Sequence, residues 1–254
     1  MDEIELCVYS KPTNHLFNMK FMLNNSEIQT FINYCITKLD LSNLKQAEEY
    51  GYHNLPLCII DAVFSIGVNY TSTVNTGKRF CNYFDVTRLR ENELAPTTEQ
   101  LSISEFLNLH TGFTFQEMAE KAYQNKQRTS TRNGILKAEA AYRFARVVQQ
   151  FGVEYLQDVE KIMGNEFFEA KTAKIPGQSS GLSTRYFYML VGDENFIKPD
   201  RMIRRFIYSA IHKELSFDEC QEILITAHAE LVQEYPKLTP RSLDHQIWLY
   251  QREQ

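Results

Sequence analysis

Glycine and proline interrupt this chain rarely, and that sparseness constrains its fold more than any other feature. Ten glycines and seven prolines in 254 residues fall between long segments of helical apolar spacing. That pattern predicts helices joined by short connections. Ser26 is the expected N-cap of NSEIQTFINYCITKL. LPLCIIDAVFSIGV is apolar nearly all round and reads as a buried central helix, with a buried strand as the alternative for so short and β-branched a run. TVNTGKRFCNYF follows as a helix, and Ser102–Glu105 and Thr114–Glu117 have the spacing of capping boxes. GILKAEAAYRFARVVQQFG and VEYLQDVEKIMG read as amphipathic helices closed by Gly152 and Gly164. EFFEAKTAKI, LSTRYFYMLVG, RMIRRFIYSAI, FDECQEILITAHAELVQEY and TPRSLDHQIWLY complete an all-α set. Residues 1–20 are ambiguous and also fit a short strand pair.

No apolar run reaches the roughly 18 residues that span a bilayer. The acidic start MDEIELCVYS lacks the layout of a signal peptide. The expectation is a cytoplasmic protein with no membrane partner. Cys7, Cys35, Cys58, Cys81 and Cys220 stand singly, without the close pairs of a zinc or iron–sulfur site. They are expected to be reduced thiols, mostly buried.

The net charge of −5 argues mildly against a nucleic-acid partner, but its distribution matters more. Lys121 to Arg146 holds seven basic residues and one acid, Glu139. Lys171 to Arg185 holds three basic residues and no acid, and Lys198 to Lys213 five against Asp200 alone. An acidic chain can therefore carry one basic face; solvated helix faces are the plainer explanation of each run taken singly.

The densest local signal is IPGQSSGLSTRYF, Ile175 to Phe187. Pro176 stops one helix, and Gly177 permits a positive φ. Ser179, Ser180 and Gly181 leave the backbone approachable. The helix from about Leu182 then offers unpaired N–H groups at its start, an anion site to which Ser183, Thr184 and Arg185 can add donors. A plain helix–helix turn is the competing reading.

Together with KPDRMIRRF, where Asp200 lies 23 positions after Gly177, this turn resembles the helix-hairpin-helix DNA glycosylase superfamily, in its endonuclease III-like branch. LCIIDAVFSIGVNYTSTVNTGKRFCNYF is similar to the family's early helix pair, and NGILKAEAAYRFARVV to its segment before the hairpin. The three matches fall in family order over roughly residues 55–212.

The resemblance implies a two-lobed helical fold over residues 51–254, with residues 1–50 as an extension packed on its core. It implies double-stranded DNA as partner, gripped at Gly177, Gln178, Ser179, Ser180, Gly181, Ser183, Thr184 and Arg185. Asn69 is implied as a wedge and Lys137 as a phosphate contact; a helix-capping loop and a solvated lysine are their plain alternatives. Asp200 is implied as the carboxylate that stabilises an oxocarbenium-like sugar while a flipped base leaves; it also fits a helix N-cap. The hairpin departs from the family's G-x-G pattern. No lysine falls between Lys174 and Lys198, which argues against lyase chemistry, and the family's four-cysteine cluster signature is missing. The expectation is a monofunctional hydrolase with no cofactor, beyond the monovalent cation such hairpins often hold. A non-catalytic DNA-binding module and a helical interaction protein stay open. Tyr186 and Tyr188 suit a core or a pocket wall; His245 and Trp248 read as core-closing.

Overall fold

The computed structural model describes residues 23–45, 48–91, 98–192 and 194–254. The expected strand pair in residues 1–20 lies outside them. The described residues form an all-α protein of eleven helices and two short 3-10 segments, without a named strand among them. No described helix is long and apolar enough to cross a membrane.

The helices are α1 (Asn25–Lys38), α2 (Leu55–Phe64), α3 (Tyr70–Phe84), α4 (Ile103–Asn108), α5 (Phe115–Lys121), α6 (Lys137–Gln150), α7 (Glu166–Ala173), α8 (Leu182–Leu190), α9 (Arg201–Ile211), α10 (Phe217–Leu231) and α11 (Pro240–Arg252). Side-chain caps set several starts. Ser102 and Thr114 close the expected capping boxes with Glu105 and Glu117. The α1 cap is Asn24, paired with Glu27, and Ser26 lies inside the helix. Both residues suit a cap; Asn24 wins because Glu27 sits three positions on and completes the reciprocal box. VEYLQDVEKIMG forms only a 3-10 segment, Leu156–Lys161. Asp158 turns back to accept from the N–H groups of Glu154 and Tyr155, which tightens the chain into a single short turn.

Apolar side chains gather into two clusters. The first runs from Tyr52 to Leu190 and is centred on α2, all ten of whose residues are buried against α3, α6 and α8. Phe64, Tyr123 and Phe80 stack through it, with ring centroids 5.2 and 5.3 Å apart. The second joins α1 to α9, α10 and α11, with Phe31 and Tyr34 packed on Phe206. Truncating a fully buried phenylalanine such as Phe206 costs about 3–5 kcal/mol. The N-terminal helix is therefore built into the C-terminal lobe's core. The first lobe is inserted between α1 and α9, so the chain crosses the seam twice. The return crossing is sharp: Phe196 packs on the first cluster and Ile197 on the second.

Candidate functional site

The crossing from Phe196 to α9 brings two charged side chains to the seam. Lys198 and Asp200 lie two apart in this extended stretch and line one cleft. Tyr50, Tyr70 and Tyr186 line it from the first lobe, and Asp244, His245 and Trp248 from α11.

Asp200 is the N-cap of α9. Its Oδ1 accepts from the N–H of Met202 at 2.7 Å and of Ile203 at 3.3 Å. Oδ2 has no hydrogen-bonding partner among the described residues, and the side chain is half-buried. The capping and catalytic readings of Asp200 are compatible, since Oδ1 caps α9 while the residue lines the cleft.

Lys198 donates its backbone N–H to Asp244 Oδ1 at 2.9 Å and its ammonium to Ser65 Oγ at 3.0 Å. The same ammonium lies 3.6 Å from the Tyr186 ring centroid. Asp244 is 7% exposed. Burial, and then the Asp200 charge, push its carboxyl up to about 8, so it holds a proton at neutral pH. His245 stacks on Trp248, and burial lowers its pKa to about 4, which keeps it neutral. Tyr70 packs edge-on to Trp248 and donates to Asp61 Oδ2 at 3.1 Å. Tyr52 shares that buried acceptor at 2.8 Å.

The cleft encloses about 40 Å³, little more than one water's share of liquid volume, about 30 Å³. A shallower hollow of about 460 Å³ lies by Glu194, His228 and Thr239. The smaller cleft is the one that brings Asp200 together with Lys198 and Asp244. Among the described residues no group of three or more His, Cys, Asp or Glu is placed to hold a metal.

The hairpin adopts the expected turn, with Gly177 at φ +85° and Gly181 at φ +72° as the α8 N-cap. Gly181 has no side chain to cap that helix start, and the Leu182 N–H reaches Ser180 Oγ at 3.4 Å. Several side chains expected on DNA are instead used inside the protein. Gln178 and Ser183 are buried and bonded to each other. Thr184 is buried against Thr172 Oγ1 at 3.0 Å. Arg185 bonds Gln221 and lies over Phe217, 4.8 Å from its ring, so it ties α8 to α10. Ser179 and Ser180 are exposed. Gly177 fits tightly because a Cβ there would lie 2.4 Å from Thr129 Cβ. That contact sets the turn beside the 126–136 loop, where Arg128 and Arg132 are exposed.

Lys137 is buried at 2% exposure and does not reach a surface phosphate. Its ammonium donates to the carbonyls of Phe64 at 2.8 Å and Ile66 at 2.7 Å, the open end of α2. Burial, and then the charge of Lys198, lower its pKa to about 8. Asn69 caps α3 by accepting from Thr71 N–H at 2.9 Å and stays exposed beside the cleft residue Tyr70.

Residues 29–252 match a family described as a domain of unknown function (DUF8548). The chain belongs to that family. No curated protein and no solved structure matches it. The match begins inside α1 and ends inside α11, so the family unit includes both lobes and the cleft between them.

Sequence reasoning reached Asp200 and allowed Tyr186 a pocket role, but it missed Tyr50 and Asp244 and read His245 and Trp248 as core. Asp244 carries no local signal. It sits in the first turns of α11 as any exposed aspartate would, and only the packing of α11 against residues 197–200 makes it a site residue.

Proposed function

We propose that this chain is a monofunctional DNA N-glycosylase-like hydrolase of the helix-hairpin-helix type, acting on a flipped base with Asp200 as its carboxylate. The observation that carries this reading is the position of Asp200: at the seam of two helical lobes, half-buried, with one oxygen on the α9 N-terminus and the residue lining a cleft walled by aromatic rings. The α9 N–H groups hold the Asp200 carboxyl in place. An ionised carboxylate there can stabilise positive charge on a sugar as the base leaves, and then help a water attack C1′. Tyr50, Tyr70, Tyr186 and Trp248 line the cleft that a base would enter. The backbone of 177–181, the exposed Ser179 and Ser180, and the start of α8 would hold the phosphates, and duplex DNA is the partner.

The second reading, a non-catalytic DNA-binding member, is favoured by the cleft volume. About 40 Å³ is an order of magnitude below the roughly 300 Å³ at which ligand pockets begin, so a base enters only if the lobes or the Trp248 and Tyr70 rings move.

A glycosylase screen separates the two. Duplexes carrying single lesions (uracil, oxidised purine, oxidised pyrimidine, alkylated adenine) are incubated with wild type and Asp200→Asn, and alkali reveals abasic sites. Asn retains the capping oxygen, so the variant should fold and bind DNA while losing turnover. Wild-type binding without base release on any duplex moves the chain to the second reading.

A further inference from the structure

Two carboxylates share this cleft, and their surroundings differ in kind. Asp200 sits on a helix N-terminus and reaches solvent. Asp244 is almost wholly buried, with Oδ1 held by the Lys198 N–H. Its second oxygen carries no hydrogen bond among the described residues. We propose that Asp244 is the cleft's proton donor, and that the group taken beside Asp200 is a neutral base with an acceptor nitrogen, not a cationic N-alkylated one. This rests on the glycosylase reading and names its acid and its substrate class.

Three arguments converge. A buried carboxyl with a single N–H donor, beside one that reaches solvent, is suited to hold the proton while the other takes the base role. A neutral base is a poor leaving group, because its bond electrons would leave it anionic unless a proton is supplied. The aromatic faces are already served by cations: Lys198 on Tyr186, Arg241 on Tyr50 at 4.5 Å and Arg252 on Trp248 at 5.1 Å. With Asp244 neutral, a cationic base would meet the Lys198 ammonium and have only Asp200 to offset it. The residues that line the cleft with Asp244 are Lys198 and Asp200 from the crossing segment, Tyr50, Tyr70 and Tyr186 from the first lobe, and neutral His245 and Trp248 on its own helix. Arg241, one turn earlier on α11, is occupied by Glu194 and the Met189 carbonyl.

The step balances. The C1′–N bond breaks with both electrons to the base, whose ring nitrogen takes the Asp244 proton. Water adds to C1′ and gives up a proton, which passes through Asp200 and reprotonates Asp244. Base and abasic sugar leave.

The test joins a titration to a rate. In protein labelled with ¹³C at aspartate Cγ, Asp244 should titrate above neutrality, at a midpoint that falls in Asp200→Asn. Asp244→Asn, whose amide oxygen can still accept the Lys198 N–H, should lower kcat on a neutral-base duplex by roughly 10²–10⁴-fold and remove the alkaline limb of the pH profile. Asp244→Glu should restore part of both. Base release by a wild type whose Asp244 titrates as an ordinary carboxylate overturns this proposal and leaves the glycosylase reading intact. So does Asp244→Asn with an unchanged rate and pH profile, or wild-type release of N-alkylated bases alone. A proton held by Asp244 in a protein that releases no base sinks the glycosylase reading, and the proton transfer with it.

Discussion

Gly177→Ala should be the most damaging single-methyl change in the hairpin, and its cost can be divided in advance. The residue sits at φ +85°, where a side chain strains the backbone by about 1–2 kcal/mol. The new Cβ would also lie 2.4 Å from Thr129 Cβ and 2.8 Å from its Oγ1. Thr129 is β-branched and joined through its own N–H to the Ile135 carbonyl at 2.9 Å, so it yields poorly. Overpacking of this kind costs about 1–3 kcal/mol. The sum is about 2–5 kcal/mol. Gly181→Ala is the internal control, since φ is +72° there and the added Cβ meets nothing within 4 Å; it should cost about 1–2 kcal/mol. Equilibrium urea unfolding of both variants, and of Gly177→Ala combined with Thr129→Gly, measures the two parts. The double variant should lose less than the sum of the singles by about 1–3 kcal/mol. Equal costs at 177 and 181, or a coupling near zero, would refute the claim that the hairpin is seated on the 126–136 loop.

Two further outcomes follow from the cations. Lys137 has a folded pKa of about 8 against an ordinary 10.5, so between those values the unfolded chain binds more protons. Wild type should therefore gain stability relative to Lys137→Met as pH rises through that window, by up to about 3 kcal/mol; urea unfolding at several pH values reads it, and a constant difference would contradict the burial. If DNA lies across the exposed Arg132 and Lys174 beside the hairpin, replacing either by Ala should lower the slope of log affinity against log salt by about 1, uniformly across sequences. An unchanged slope would place the backbone elsewhere.

The legible parts of this chain are those whose causes are local. Ser102 and Thr114 carry their Glu partners three residues on, so their boxes were readable, and Gly177 and Gly181 take the positive φ that their turn requires. Cys35, Cys58, Cys81 and Cys220 are buried free thiols, as their isolation suggested; Cys7 lies outside the described residues. Lys137 shows where local reading stops. It sits in a basic run on the first turn of α6, where a solvated or phosphate-facing lysine is the ordinary expectation. Its burial is decided by α2, more than seventy residues earlier, whose open carbonyl end needs a donor in a place water does not reach.

The same helix end explains how a seam can hold Asp200 in place. The C-terminus of α2 carries partial negative charge and unpaired carbonyls. Lys137 from the first lobe takes the Phe64 carbonyl and that of Ile66, two residues past the helix, and Lys198, entering from the crossing segment, takes Ser65 Oγ one residue past it. Burial first, and then repulsion between the two ammonium groups, lower the pKa of Lys137. That repulsion costs stability, so packing alone does not explain why both are present. What the second lysine adds is a tether. It pins residue 198 to the first lobe while its own N–H is held by Asp244 of the second, and Asp200 follows two residues later. Under the proposed glycosylase function, this bracing from both lobes would hold the Asp200 carboxylate against the sugar.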